Sequence, residues 1–446
     1  MSVLNDKKLL APWIKKIPDG WACVRTDSLA DVLFSNVDKH TYDEEVPVRL
    51  CNYVDVYKNE RITNDISFME ASASKQEIDR FQIKKGDILL TKDSESPDDI
   101  AICALVAEEL PNVICGYHLA LIRSRSSHLK GSFLACVHKS KAFLAQYEAK
   151  AVGVTRFGLS QYAFRSARIP LPSEGEQNLI TKYLDQQCAA IDKAISIKKE
   201  QLQVLDELRK SIIHKAVTKG LDDSVAQVDS GVDWIGKTPK HWKVKRVKRF
   251  AKVKRGASPR PIEDQIYFDE DGEFAWVRIS DVTASERYLE TTEQLLSQLG
   301  SSLSVKQYPG DLFISIAGTV GKPIITKIKC CIHDGFIWFE NPQFNKEFLW
   351  YIFISEAPYQ GLGKLGTQLN LNTATVGQIF IPVPSLEEQA RIVRDLDQRC
   401  GDLRILTKNI EEQIATLEAY RKSLIHEYVT GKRRITEQDL KEMANV

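Results

Sequence analysis

The sequence predicts an α+β protein in which two pseudo-symmetric domains are separated by two long helices packed as an antiparallel coiled coil. Three observations carry that expectation. IPLPSEGEQNLITKYLDQQC, Ile169–Cys188, returns as IPVPSLEEQARIVRDLDQRC, Ile381–Cys400, and residues 169–218 slide onto 381–430 without a gap at 21 identities in 50 positions. The chain ahead of each copy repeats more loosely. Trp13, Ile14, Pro18 and Trp21 of APWIKKIPDGW meet Trp234, Ile235, Pro239 and Trp242 of VDWIGKTPKHW at a constant offset of 221. Between these motifs, β-rich runs such as DILLT and DLFISIA alternate with helical stretches such as SFLACVHKSKAFLAQY and EFLWYIFISEAP, which marks the domains as mixed.

Taken in chain order, residues 1–168 form the first domain. IKKGDILLT, Ile83–Thr91, reads as a turn entering a buried strand, and GVTRFGLSQYAFRSARIPLP closes the domain. Residues 169–220 form the first long helix. Pro172 keeps the chain extended up to the start, Ser173 with Glu176 has the spacing of a capping box, and Gly220 supplies the stop. At 1.5 Å per residue a helix of this length spans about 65 Å. Its apolar residues step by three and four, giving the narrow stripe of a coiled-coil seam: Leu184, Cys188, Ile191, Ile195, Leu202, Leu205, Leu208 and Ile212. Residues 221–380 are a linker and the second domain, where QYPGDLFIS, Gln307–Ser315, echoes the first domain's turn and strand.

Residues 381–432 are the second long helix, with Pro384, Ser385, Glu388 and Gly431 in the same places and a seam of Leu396, Cys400, Leu403, Thr407, Ile414, Leu417, Tyr420 and Leu424. Ile410 adds to it where the first helix has Lys198. Residues 433–446 are a C-terminal tail. An isolated helix of this length with one stripe is marginal, so the economical structure packs the two together and makes a pseudo-dimer from one chain.

Composition bounds the function. At 446 residues, 43% hydrophobic and 27% charged, the chain is ordinary soluble globular protein of two or more domains. It has no apolar run of bilayer length, and MSVLNDKKLLAPW lacks the core of a signal peptide, so a cytoplasmic protein without membrane contact is expected. Nine cysteines lie singly apart from Cys330 and Cys331, without zinc spacing, and read as reduced thiols; no metal site is expected.

The net charge of +1 hides a basic segment. GKTPKHWKVKRVKRFAKVKRGASPRP, Gly236–Pro261, carries Lys237, Lys240, Lys243, Lys245, Arg246, Lys248, Arg249, Lys252, Lys254, Arg255 and Arg260 without an acid, interleaved with Val244, Val247 and Val253. Such density suits a nucleic-acid backbone, where each neutralised phosphate releases counterions. The first domain has a weaker counterpart in RSRSSHLK, with Arg123 and Arg125, and in Arg156, Arg165 and Arg168. Lys92 and Lys322, within LTKDSESPDDI and ISIAGTVGKPI, join the candidates. Loops ahead of the long helices offer side chains able to pair with base edges: Thr155, Arg156, Ser160 and Gln161 in the first domain, and Lys364, Thr367, Gln368 and Asn370 in the second.

The duplicated IPLPSEGEQ and IPVPSLEEQ, the RKSIIH and RKSLIH near each helix end, and the SGVDWIGKTPKHW entry to the second domain resemble the DNA specificity subunit of type I restriction–modification systems. The resemblance covers nearly the whole chain. It implies two target-recognition domains, each reading one half of a split, asymmetric site in double-stranded DNA, with the coiled coil setting the spacing. It also implies docking of two modification subunits that methylate adenine N6 with S-adenosylmethionine, and two ATP-dependent restriction subunits in the full assembly. This chain would then be a non-catalytic subunit that binds no cofactor itself, with S-adenosylmethionine, ATP and Mg on its partners. The first domain departs from the second where LTKDSESPDDI replaces the glycine-containing ISIAGTVGKPI.

Three motifs approach catalytic signatures and fall short of them. NPQF, Asn341–Phe344, approaches the Asn-Pro-Pro-Phe signature of amino-methyltransferases but has Gln for the second Pro. GTVGKP, Gly318–Pro323, lacks the first glycine of a phosphate loop and has Pro323 where a metal-binding hydroxyl is required, so a strand–turn–strand connection is expected. Pro97–Asp99 has no Asp/Glu-x-Lys after it to complete a nuclease cluster. His214 and His426, at equivalent helix ends, suggest a shared structural role. The alternative from another class is a coiled-coil scaffold joining two protein-binding domains.

Overall fold

The structure is a computed structural model that describes residues 17–362 and 371–444; Trp13 and Ile14 of the first motif lie outside the described residues. The chain forms two compact units, Met1–Lys198 with Glu411–Val446, and Lys199–Ile410. Each unit holds one domain and half of each long helix.

The two domains share a strand plan. In the first unit a five-stranded sheet runs in the order Ala30–Phe34, Leu119–Ser124, Ile88–Thr91, Cys103–Val106, Arg61–Ile62, antiparallel except for the last, parallel pair. The second unit repeats the order and the parallel edge with Lys252–Arg255, Phe336–Glu340, Leu312–Ser315, Pro323–Thr326 and Tyr288–Leu289. A second sheet is shared too: Val46–Cys51 lies between antiparallel Met69–Ala73 and parallel Val113–Cys115, as Phe274–Val277 lies between Gln294–Leu296 and Cys330–Ile332. The central strands are those of GDILLT and GDLFIS, fully buried as a strand covered on both faces should be. Gly86 and Gly310, at φ 90 and 88, turn the chain into them. Asp87 and Asp311 then each accept a backbone hydrogen bond of 2.8 Å, from Lys84 and Tyr308.

The long helices are Glu174–Lys219, 46 residues, and Leu386–Val429, 44 residues. They run antiparallel: as the first advances from Tyr183 to Lys198, its partner recedes from Tyr428, whose ring is 4.9 Å from that of Tyr183, to Gln413, which accepts a hydrogen bond from Lys198. Leu184, Ile191, Ile195, Leu396, Leu403 and Leu424 of the expected seam are buried. Leu202, Leu205, Ile212, Ile410, Ile414 and Leu417 are half-buried. Leu208 and Tyr420, which occupy equivalent positions, are exposed, and Ile213 replaces Ile212 as the buried residue near the first helix's end. The cause is tertiary. Ile213, Ala216 and Val217 pack with Trp234, Ile235 and Trp242, so the buried face turns from the partner helix toward the domain.

The helix starts differ from the expected capping boxes. Ser173 and Ser385 accept from the backbone of Glu176 and Glu388, at 3.3 and 3.2 Å. The glutamates do not reach back: Glu176 accepts from the Trp21 indole at 3.0 Å and from Arg434, and Glu388 pairs with His241. The adjacent glutamines close each start instead. Buried Gln177 accepts from Lys130 N and donates to Pro172 O, and Gln389 accepts from Asn345 N and donates to Pro384 O. Gln389→Ala leaves both backbone groups unpaired and is expected to cost about 1–3 kcal/mol, read by urea unfolding.

The helix ends explain the looser repeat. Thr218 and Thr430 donate to His214 O and His426 O, each at 2.6 Å, and Gly220 and Gly431 follow at φ 74 and 72. A Cβ on Gly431 would lie 2.4 Å from Pro18 and 3.2 Å from Trp21, and one on Gly220 would lie 3.2 Å from Trp242. The Pro-x-x-Trp opening each domain is therefore the seat of a long helix's end. His214 and His426 take different partners, Trp234 O and Ser140 Oγ. Residues 433–446, expected as a tail, contain a helix at Glu437–Ala444. GTVGKP is the turn between the antiparallel strands Leu312–Ser315 and Pro323–Thr326, as expected. Asn341–Phe344 leads into the helix Lys346–Ile354, with Phe344 packed 5.5 Å from Phe250.

Candidate nucleic-acid interface

In the second unit the centre of the basic segment, residues 243–255, folds as two strands joined by a tight turn. Lys243–Arg246 pairs with Phe380–Val383, which leads into the second long helix, and Lys252–Arg255 forms an edge of the five-stranded sheet. Val247, in the turn Val247–Arg249, is buried, and Val244 and Val253 pack on the core. With the valines turned inward, Lys243, Lys245, Arg246, Lys248, Arg249, Lys252, Lys254 and Arg255 lie at the surface.

Some of that charge is answered locally. Lys254 pairs with Glu340 at 2.6 Å, and Asp334 takes Arg260 at 3.1 Å and Arg255 at 3.9 Å. Lys245 and Arg246 lie 5.6 and 4.9 Å over the rings of Phe250 and Phe380. Lys248 and Arg249 make no side-chain hydrogen bond or ion pair among the described residues, so both cations remain available to a polyanion. Lys322 sits apart from this face. Its ammonium donates to Thr283 O at 3.0 Å, burial pushes its pKa down, and it lines a cavity of about 370 Å³ with Arg287, Trp350, Leu205 and Leu403. Lys364, Thr367, Gln368 and Asn370 lie outside the described residues.

The first unit gathers its candidates differently. A hairpin of Val152–Gly153 and Phe157–Gly158 pairs with Asp93–Ser94 and carries Arg156 in its turn. The Arg156 guanidinium donates to Asp93 at 2.6 Å, and the other Asp93 oxygen meets His118 Nδ1 at 2.8 Å. Arg156 and Asp93 border a cleft of about 430 Å³ with Tyr53, Tyr57, Glu95, Asp99 and Thr155. Tyr53 and Tyr57 are stacked at 5.6 Å, and the Tyr57 hydroxyl donates to Asp99 at 2.9 Å. Lys92, pushed down by burial, lies 4.4 Å over Tyr117 beside the cleft. Glu95 and Asp99 would repel a phosphate, whereas mixed donors, acceptors and ring faces suit base edges.

The other candidates of this unit are occupied. Arg123 makes a two-pronged pair with buried Asp87 and donates to Gln82 O. Arg125 is held by Asp27 O and Asp31, at the far end of the strand from His118. Ser160 caps the helix Gln161–Ser166, and Gln161 donates to Val32 O at 2.6 Å. Tyr53, Tyr57, Asp93 and His118 are not among the candidates that the sequence offers directly; their signal there is the tyrosine pair four residues apart in YVDVYK and the departure at LTKDSESPDDI, which encodes the cleft's acidic wall.

Among the described residues no group of three metal-ligating side chains is present, and no helix is long and apolar enough to cross a membrane.

Comparison with known proteins matches this arrangement. A family model described as the type I restriction modification DNA specificity domain matches residues 18–207 and again 239–416, each time a domain with most of a long helix. The specificity subunit of the type I restriction enzyme MjaVIII from Methanocaldococcus jannaschii is 24% identical over 437 residues, 94% of each chain. That of EcoKI from Escherichia coli K12 is 20% identical, over 94% of this chain and 90% of its own. Among solved structures, a chain from work on complex assembly and conformational transition of the type I restriction–modification system superposes at a TM-score of 0.74, with 19% identity over 93% of this chain and 98% of its own. The HsdS subunit from Thermoanaerobacter tengcongensis superposes at 0.55, with 20% identity over 94% and 98%. At these identities the superpositions establish the fold: two domains with two packed long helices.

Proposed function

We propose that this chain, which belongs to the type I restriction–modification DNA specificity family, reads a two-part asymmetric sequence in duplex DNA and directs adenine methylation or restriction by partner subunits. The observation that carries the proposal is the double match, one copy per domain, on a chain whose long helices repeat closely while its domains repeat loosely. Shared helices suit repeated docking of one kind of partner, and divergent domains suit two different half-sites. In this reading the chain is non-catalytic: methyl transfer and its S-adenosylmethionine belong to two modification subunits, and ATP and Mg to two restriction subunits.

The division of labour within a domain follows from its chemistry. The basic face of the second unit would contact phosphates, and loop side chains such as those around Arg156 would contact base edges. In the assembled complex, changing Lys248 and Arg249 together to Ala is expected to weaken all duplexes about equally. It should also flatten the plot of log K against log salt by about 2, since each phosphate contact contributes about 0.9. Loss confined to one sequence would remove the pair from the phosphate contacts. A flat salt plot for the unaltered complex would instead favour a scaffold that joins proteins, and heat on titrating S-adenosylmethionine into this chain alone would favour a self-sufficient methyltransferase.

A further inference from the structure

Each domain packs on its following long helix through buried apolar residues, Ile180 and Leu184 or Ile392 and Leu396, and two polar contacts stand at matching levels of the two helices. The first is Gln177 or Gln389 at the helix start, which accepts from Lys130 N or Asn345 N of the domain. Two turns further on, both helices carry an aspartate, and each aspartate meets an arginine at the parallel edge of the five-stranded sheet, within the strand for Arg61 and just before it for Arg287. Arg61 pairs with Asp185 at 2.7 Å, and Arg287 with Asp397 at 2.5 Å. Both arginines follow a glutamate: Glu60 pairs with Arg421 at 2.7 Å and with Lys139, and Glu286 pairs with Arg404 at 2.9 Å. The arginine contact to the helix aspartate therefore recurs in both domains, one strand position apart, whereas the glutamates differ: Glu60 reaches the other long helix, and Glu286 reaches the same helix as Arg287.

The burial of the arginine contact is unequal. The Arg287 side chain is 12% exposed, and Arg61 is 49% exposed. Arg287 also pairs with Glu347 and lies within 5.2 Å of the rings of Tyr288, Trp350 and Tyr351. The Tyr351 hydroxyl donates to the same Asp397 oxygen at 2.6 Å. A planar guanidinium bridging two carboxylates between aromatic faces resists rotation in a way that a flexible ammonium cannot.

The geometry points to Arg61 and Arg287 as positioning residues that set how strictly the distance between half-sites is read. The arginine contact, about 12 Å along the helix from the glutamine contact, adds to the apolar packing a fixed polar point that limits how far the domain tilts on its helix. A tilt of about 10° moves any point about 20 Å from its pivot by about 3.4 Å, one base-pair step along a strand. This inference rests on the two-part-site reading above.

The test uses the complex assembled with modification subunits, on duplexes with both half-sites intact and the spacer shortened or lengthened by one or two base pairs. The rate on the native spacer divided by the rate one base pair away is expected to fall about tenfold in Arg287→Gln and about threefold in Arg61→Gln, with Arg287→Lys between. The half-site bases should stay unchanged. A purely structural role would lower methylation on every spacer and leave that ratio alone. The same ratio in Arg61→Gln and Arg287→Lys as in the unaltered complex overturns the proposal, and these two variants decide the matter where Arg287→Gln does not assemble. No spacer preference in the unaltered complex would overturn the two-part-site reading itself, and this proposal with it.

Discussion

Four residues inserted into each long helix, at the level where Lys198 bonds Gln413, are expected to lengthen the preferred spacer by about two base pairs and to leave both half-sites unchanged. Four residues add about 6 Å of helix, close to two steps of about 3.4 Å, and turn it by about 400°, so the seam returns to within roughly 40° of its register. Inserting at one level in both helices preserves the antiparallel pairing on either side. That level suits the change because Lys198 stands in the seam itself, and its only described bond there is the one to Gln413. Methylation at the original spacing should fall by about tenfold or more, since misplacement of an ångström or more commonly costs about a hundredfold in rate. Methylation mapping on a spacer series reads the result. An unchanged spacer with an altered half-site would remove the long helices from any role in measuring distance.

Much of this architecture is legible in the sequence because it is written in local signals. Proline, serine and glycine bound two uninterrupted periodic stretches, and the observed helices Glu174–Lys219 and Leu386–Val429 fall within the expected bounds. GDILLT and GDLFIS mark central strands because fully buried strands read as unbroken apolar runs. What stays hidden depends on partners far along the chain. Glu176 has the spacing of a capping box, yet its carboxylate is taken by Trp21 and Arg434, which no local rule supplies. Arg123 reads as a free cation until the fold brings Asp87 beneath it.

The glutamate–arginine pair at Glu60–Arg61 and Glu286–Arg287 escapes notice for another reason. Two residues in a divergent domain, at an offset that matches neither repeat, look like chance. The cleft beside Arg156 was half visible: the arginine was a candidate, but Asp93, His118 and the stacked tyrosines come from separate elements.

Asp439→Ala is expected to destabilise the first unit by about 3 kcal/mol at neutral pH. Asp439 is wholly buried. One carboxylate oxygen accepts from the Tyr428 hydroxyl at 3.0 Å and from Arg433 at 2.9 Å; the other accepts from the Thr436 backbone and hydroxyl, both at 2.8 Å. Thr436 in turn accepts from Asp439 N, so this is the capping box that the long helices lack. Removing the carboxylate strands the buried Tyr428 hydroxyl, and hydrogen bonds to charged groups contribute about 1.5–3 kcal/mol each. Burial alone would push this carboxyl up, but the Thr436, Tyr428 and Arg433 contacts together hold it below the usual carboxylate range.

The sign follows from that direction: a depressed carboxylate adds stability that is fully present above its unfolded value, near pH 4, and is lost as pH falls through the folded value. The gap between the parent protein and Asp439→Ala should therefore be constant from about pH 5 to 8 and narrow below about pH 4. Urea unfolding at pH 7 and at pH 3 measures both quantities. A difference under about 0.5 kcal/mol at pH 7 would contradict the role of the network, and a gap that widened in acid would contradict the sign. The consequence reaches past stability. The Tyr428 ring lies tilted against that of Tyr183 where the two long helices meet, three residues before the glycine seated on Pro18 and Trp21. A loosened C-terminal helix would slacken the same joint that holds the first domain, so Asp439→Ala should also broaden the spacer profile in the direction of Arg61→Gln.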